Sequence, residues 1–223
     1  MNKTQALAEL KRMGTAQNRK VYARHGVGSK QFGVSYANLG KLRKKVRVDQ
    51  PLAEGFWKSG VHDARVFAAM VADPDAISAG VLDAWVKDLD NYVVTDAFAG
   101  FAARTRFAPG RVARWTRSRN EWISTAGWNV VAHLALRDDG LDAADLEELL
   151  DKIEAGIGSA KNRTRYAMNS ALIAIGMRNA KLRRLATAAA ERIGPVDVDH
   201  GETGCKTPEA VSYLAKVWSR RKK

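Results

Sequence analysis

Tyr92 and Asp96 stand four residues apart in a stretch that reads as a helix, so they share one face of it. A carboxylate in that place can stabilise positive charge developing on a sugar as its base departs, position a water, or act as a general base. The tyrosine beside it offers an aromatic wall for a sugar, a base or a cation. An Asp near a helix start also serves the helix dipole or pairs with an arginine, and on spacing alone that ordinary role is the better reading. What makes Asp96 conspicuous is its setting. From Ala102 to Asn120 come Arg104, Arg106, Arg111, Arg114, Arg117 and Arg119 with no acidic residue between them. Trp115, Trp122 and Trp128 are interleaved with the later arginines, a mixture common where nucleic acid binds. Trp128 continues an apolar stripe through Val130, Val131 and Leu134 and is expected in the core. Trp122 opens its helix and is the better exposed wall. A second cationic group, Lys161, Arg163 and Arg165, follows farther along and completes the expected phosphate contacts with Arg117 and Arg119.

The elements that must hold these residues are helices. Apolar residues recur at three- and four-residue spacing, and alternating β-branched runs are few. The spacing predicts helices at about 4–13, 16–25, 35–46, 51–59, 62–71, 76–89, 92–104, 110–118, 121–136, 143–157, 163–177, 182–193 and 208–221. Asp49 before Gln50-Pro51, and Thr207 before Pro208, read as helix caps with proline in the first turn. Three helices begin after an asparagine: Asn91, Asn120 and Asn162. Six residues on, each carries an apolar residue (Ala97, Ala126, Met168), and ten residues on a larger one (Phe101, Val130, Leu172). The segment from Val61 is a weaker copy. Such spacing suits degenerate helix pairs of a HEAT-like solenoid, an all-α superhelix with a concave basic groove lined by one helix of each pair. With no Gly/Ser linker, one domain over residues 1–223 is expected, ending in a short basic tail at 219–223.

Composition sets the outer bounds. The chain has 223 residues, 37 Lys and Arg against 24 Asp and Glu, and a formal net charge of +13. Nucleic acid is the leading partner class for such a charge. Charge also alternates along the chain: Asp138 to Glu154 is acidic and reads as a solvent-facing helix, whereas Lys161 to Arg184 has no acid. Cys205 is the one cysteine, so no intramolecular disulfide forms. The four histidines are scattered, and neither a metal nor a cofactor is expected. His200 and Cys205 lie in a Gly-containing loop, where a quietly buried thiol is the ordinary reading. No apolar run approaches a membrane span, and the first residues lack the apolar stretch of a signal peptide. A monomer in the cytoplasm is expected.

The helical repeat, Gly33-Val34-Ser35-Tyr36, His62-Asp63-Ala64-Arg65, the run Asn91 to Asp96 and Asn120-Glu121-Trp122-Ile123 resemble the AlkD-type DNA alkylation repair proteins over about residues 15–218. The segment Val196 to Pro208 resembles a subgroup placed with that family. The resemblance implies a superhelix that clamps duplex DNA and hydrolyses the glycosidic bond of cationic N3- or N7-alkylated purines without flipping the base. By the same resemblance Asp96 matches the Asp that contacts the damaged nucleoside. Three positions depart from the family pattern. Tyr92 stands where active members have Trp, Thr125 where an Arg of the cleft aligns, and Ser170 lies where a second cleft Trp is expected. Trp122 or Tyr166 is then the replacement wall. Two functions stay in play: a DNA glycosylase using Asp96, and a HEAT-like module that binds DNA or a protein partner without excision.

Overall fold

The computed structural model describes residues 3–221. Among them are thirteen α-helices and no strand, an all-α architecture. The chain gathers into two compact units, Met1–Arg106 with Gly201–Thr203, and Phe107–His200 with Gly204–Lys223.

The first unit holds α1 (Lys3–Met13), α2 (Ala16–Arg24), α3 (Tyr36–Val46), α4 (Gln50–Trp57), α5 (His62–Val71), α6 (Ala79–Trp85) followed by a 3-10 turn at Val86–Asp88, and α7 (Tyr92–Ala102). Helix α5 is its centre: it packs on α1, α3, α4 and α7. That position explains its composition, with Ala64, Val66, Phe67, Ala68 and Val71 all buried and small residues letting neighbours approach. Aromatic rings knit α4, α6 and α7 together. Trp57 stacks on Trp85 at 4.3 Å between centroids, and Phe98 and Phe101 lie against Trp57 and Trp85 at 6.0 and 5.8 Å. Each such contact adds specificity to the large apolar area these rings bury. Side-chain caps start the helices where the sequence supplies them, with Ser35 accepting from Asn38, Asp49 from Leu52 and Asn91 from Val94.

The second unit holds α8 (Ala108–Thr116), α9 (Glu121–Ala135), α10 (Ala143–Gly156) with a 3-10 turn at Ile157–Ser159, α11 (Asn162–Gly176), α12 (Ala180–Ile193) and α13 (Ala210–Arg221). Helices α8 and α9 pair, α9 stacks on α11, and α11 stacks on α12 and α13. Of the six repeat positions read from the sequence, Phe101, Ala126, Val130, Met168 and Leu172 are buried, whereas Ala97 is half-buried and lines a cavity. The acidic α10 packs on α12, with Glu147 and Glu154 paired to Lys181 and Arg192 at 2.5 Å each.

Several boundaries differ from the sequence reading for local reasons. The helix expected over 76–89 starts only at Ala79, because the turn at Asp73-Pro74-Asp75 persists through an Ile77 N–H to Asp73 carbonyl bond and Ser78 then caps. The last helix starts at Ala210 rather than Pro208. Its cap is the Glu209 carboxylate, which accepts from Val211 and Ser212, while Thr207 bonds His200 instead. Asn162 is the first residue of α11, not its cap. Its amide clasps the backbone of Asp199 through two bonds of 2.8 Å. Of the expected tail, Ser219 to Arg221 continue α13, and 222–223 lie outside the described residues. Among the described residues no helix is long and apolar enough to cross a membrane.

Candidate functional site

Asp96 is exposed on α7. Four and eight residues on, Gly100 and Arg104 follow along the same face, the last just past the helix end. Helix α3 faces them with Tyr36, its first residue, and Arg43, two turns later. Together with Met70 of α5 and Phe101 they line an open cavity of about 380 Å³. Gly100 leaves its wall low, and buried Phe98 and Phe101 anchor α7 beneath it.

The electrostatics of this cavity are mixed. Arg104 has its pKa lowered by burial first and by the charge of Arg43 second, and both residues line the same cavity. The Arg104 guanidinium also lies over the Phe101 ring at 5.7 Å. Tyr36 is 47% exposed, yet its hydroxyl is held well above the usual tyrosine range by burial, then by Tyr22 and Asp96. Carboxylate, phenol and two guanidinium groups thus share one opening. A second basic cavity of about 580 Å³ adjoins through Arg43, with Lys41, Lys44 and Arg47 of α3 and its end around it.

Beneath α3 lies an internal anion site. Asp63, 1% exposed at the start of α5, accepts three backbone N–H groups from one loop. Phe32 and Gly33 donate to Oδ2 at 2.5 and 3.3 Å, and Val34 donates to Oδ1 at 2.6 Å. Successive amides arranged this way form a concavity that favours an anion. Gly33 allows it: its φ is +78°, and a Cβ there would come within 2.6 Å of the Thr15 carbonyl. The loop runs directly into the Ser35 cap and Tyr36, so Asp63 fixes where α3 begins. Tyr22 reinforces the loop by donating to the Val34 carbonyl at 2.6 Å.

Tyr92, expected beside Asp96, is directed elsewhere. Its hydroxyl is hydrogen-bonded to Nδ1 of His25, the rings meeting edge-on at 5.7 Å between centroids, and it does not line the Asp96 cavity. Tyr36 takes the place beside the carboxylate. The sequence carried a signal for Arg104, eight residues past Asp96 on the same face. It carried a weaker one for Arg43, in a basic triplet at the end of a helix. Tyr36 stood out only as the end of the run Gly33-Val34-Ser35-Tyr36, and no spacing tied it to Asp96, because it comes from another helix.

In the second unit, Arg117, Arg119 and Lys161 do converge, around one cavity of about 650 Å³ that Lys152 also lines. Lys161 Nζ donates to the Arg119 carbonyl at 3.1 Å, tying the α11 start to the loop before α9. Arg163 and Arg165 are not part of its wall. The Arg163 backbone N–H donates to Glu121 at 2.7 Å, and the Arg165 guanidinium bonds the carbonyls of Asp197 and Ala160 at 2.9 and 3.0 Å. Trp122 is half-buried at the start of α9 and lies outside that wall, whereas Trp128 is 4% exposed, in the core as its stripe implied. Thr125 is buried against Thr164, and Ser170 bonds back to the Tyr166 carbonyl. Tyr166 itself meets His200 edge-on at 5.6 Å. Cys205 is exposed rather than buried. Among the described residues no cluster of three His, Cys, Asp or Glu is placed to hold a metal ion.

Residues 6–214 match the model of a family described as DNA alkylation repair enzyme. An uncharacterized protein of Listeria innocua is 25% identical over 219 residues, 95% of each chain. One of Listeria monocytogenes is 25% identical over 221 residues, 96% of each chain. A solved structure superposes with a TM-score of 0.89 at 26% identity, covering 99% of this chain and 95% of the other. That protein is described as one of a new family related to the HEAT-like repeat DNA glycosylases, with affinity for branched DNA structures.

Proposed function

Because this chain belongs to the DNA alkylation repair enzyme family, we propose that it binds DNA through the basic α3–α7 cavity and favours branched over linear duplexes. The observation that carries this reading is that Arg43 of α3 and Arg104, just past the end of α7, line one open cavity. Two cations held together in an open cavity are relieved by an anion, and a DNA phosphate accepts from both. Lys41, Lys44 and Arg47 extend the cationic track past the cavity, so several consecutive phosphates are engaged. A branch point brings phosphates of a second strand beside such a track, where Arg104, at the end of α7 and apart from the α3 cations, can meet them. The affinity of the similar solved protein for branched DNA supports the same preference. Binding in a titration of linear and three-way junction DNA that is equal for both, or insensitive to salt, refutes the proposal.

A second reading has its own observation: Asp96 is exposed in the same opening as the half-open ring of Tyr36. In this reading the protein hydrolyses the glycosidic bond of N3- or N7-alkylated purines in duplex DNA. Tyr36 lies against the nucleoside, Asp96 stabilises the oxocarbenium-like sugar, and the arginines hold flanking phosphates. The base already carries positive charge, so it departs without a proton donor. Release of N7-methylguanine from methylated duplex DNA is the test. A wild-type rate no greater than that of Asp96→Asn removes Asp96 from any chemistry and leaves binding as the function.

A further inference from the structure

The cavity of the second unit has the features of a site for a single flat, phosphate-bearing ligand. At about 650 Å³ it is well within the size range of small-molecule pockets. Trp128 and Met168, each 4% exposed, supply buried apolar lining of high polarisability, and Gly156 between them leaves space. Arg117, Arg119 and Lys161, all exposed, supply a cationic mouth, while the half-buried Lys152 beside them is already paired with Glu148 at 2.6 Å. Glu121 is the one carboxylate in the lining, and its Oε1 is already engaged by the Arg163 backbone N–H at 2.7 Å. Lys161 spends one donor on the Arg119 carbonyl and keeps two for a ligand. A cationic mouth over an aromatic and thioether interior is suited to a phosphate with a heterocyclic ring attached.

We propose that this cavity holds one unpaired nucleotide of a DNA strand, its phosphate on Arg117, Arg119 and Lys161 and its base against Trp128 and Met168. The DNA source rests on the DNA-binding reading above; the nucleotide chemistry does not. A base still paired in a duplex cannot enter a cavity of this size with its partner, so the ligand is a nucleotide that a branch, a nick or a strand end has freed. This gives the second unit a recognition role separate from the phosphate track of α3.

The test uses the full chain and 2-aminopurine deoxyriboside 5′-monophosphate, whose fluorescence is quenched on stacking against tryptophan. The expected result is saturable quenching. Gly156→Leu abolishes it: a Cβ there meets only Met168 at 3.5 Å, so the larger side chain fills the cavity rather than breaking the packing. Lys161→Ala weakens it about tenfold, as for one lost hydrogen bond to a charged group. Because Lys161 also holds the Arg119 carbonyl, Lys161→Arg, which keeps the charge and the donors, should restore most of the loss. Inorganic phosphate competes far less well than the nucleotide. Absence of saturable quenching, quenching untouched by both Gly156→Leu and Lys161→Ala, or equal competition by phosphate overturns the proposal. A second arm places the 2-aminopurine unpaired at the branch of a three-way junction. Quenching of the mononucleotide but not of a junction that binds overturns the DNA source. A junction that fails to bind at all, seen by anisotropy, is instead the failure of the DNA-binding reading.

Discussion

Replacing Asp63 by asparagine should weaken both the fold and DNA binding, although Asp63 is 1% exposed and touches no ligand. Its two oxygens accept three amides of one loop, Oδ2 from Phe32 and Gly33 and Oδ1 from Val34. Asparagine has one acceptor oxygen. If it keeps the first two bonds, its NH2 group must face the Val34 N–H, donor against donor, where the bond was 2.6 Å. The loss of one bond to a charged acceptor costs about 1.5–3 kcal/mol, and the other two fall to roughly neutral strength, so about 3–5 kcal/mol in all. Against a typical total of about 5–15 kcal/mol, the variant still folds but unfolds at clearly lower denaturant. Urea titration followed by tryptophan fluorescence measures this. The functional consequence has a diagnostic sign. Removing a negative charge from a cationic protein should strengthen DNA binding by Coulomb's law alone. Loosening the start of α3, which carries Tyr36 and Arg43, should weaken it. Stability within about 0.5 kcal/mol of wild type, or tighter DNA binding, refutes the claim that Asp63 positions α3.

Other expectations follow from the same contacts. His62 is 6% exposed, and burial lowers its pKa from 6.5, against the opposing charges of Asp63 and Asp90 and with that of Arg65. The unfolded chain therefore binds the proton better. Stability is full above about pH 6.5 and falls as pH drops below it, by at most about 1.4 kcal/mol per pH unit for one proton. Urea midpoints from pH 7.5 to 5 should show a shallower decline in His62→Gln than in wild type. Gly127→Ala should lower the melting temperature by roughly 3–10 °C, for about 1–3 kcal/mol of overpacking. Its Cβ would lie 2.6 Å from the Thr116 nitrogen and 2.8 Å from the Trp115 carbonyl carbon, both backbone atoms of α8. An unchanged melting curve would mean that α8 and α9 are less closely packed than described.

The helical architecture was legible because it is written locally. Periodicity, caps such as Asp49 and breakers such as Asp73-Pro74 act within a turn or two, and most helix starts lay within a few residues of their expected places. Where this failed, a distant partner had changed a residue's role. Asn162 resembles Asn91 and Asn120 in sequence, but Asp199, 37 residues on, engages its side chain. Thr207 loses its capping part to His200 and Glu209. The site shows the same divide. Arg117, Arg119 and Lys161 stand out in the sequence by their charge, and all three line one cavity. Tyr92 shares the helix of Asp96 but turns to His25, and Tyr36 of α3 lines the same cavity as Asp96. No spacing rule links residues 36 and 96. The carbonyl partners of Arg165 were equally invisible, so a residue read as a phosphate contact is found holding a loop.

The central claim is that the Arg43–Arg104 cavity receives DNA phosphates, and the salt dependence of binding tests it most directly. Anisotropy titrations of a three-way junction with wild type and Arg43→Ala/Arg104→Ala, from low to physiological salt, give the slope of log affinity against log salt. Each phosphate contact contributes about −0.9 to that slope, so losing two should reduce its magnitude by about 1.8. Affinity at low salt should fall with it. Parallel lines of equal slope and equal affinity for the two proteins would contradict the account.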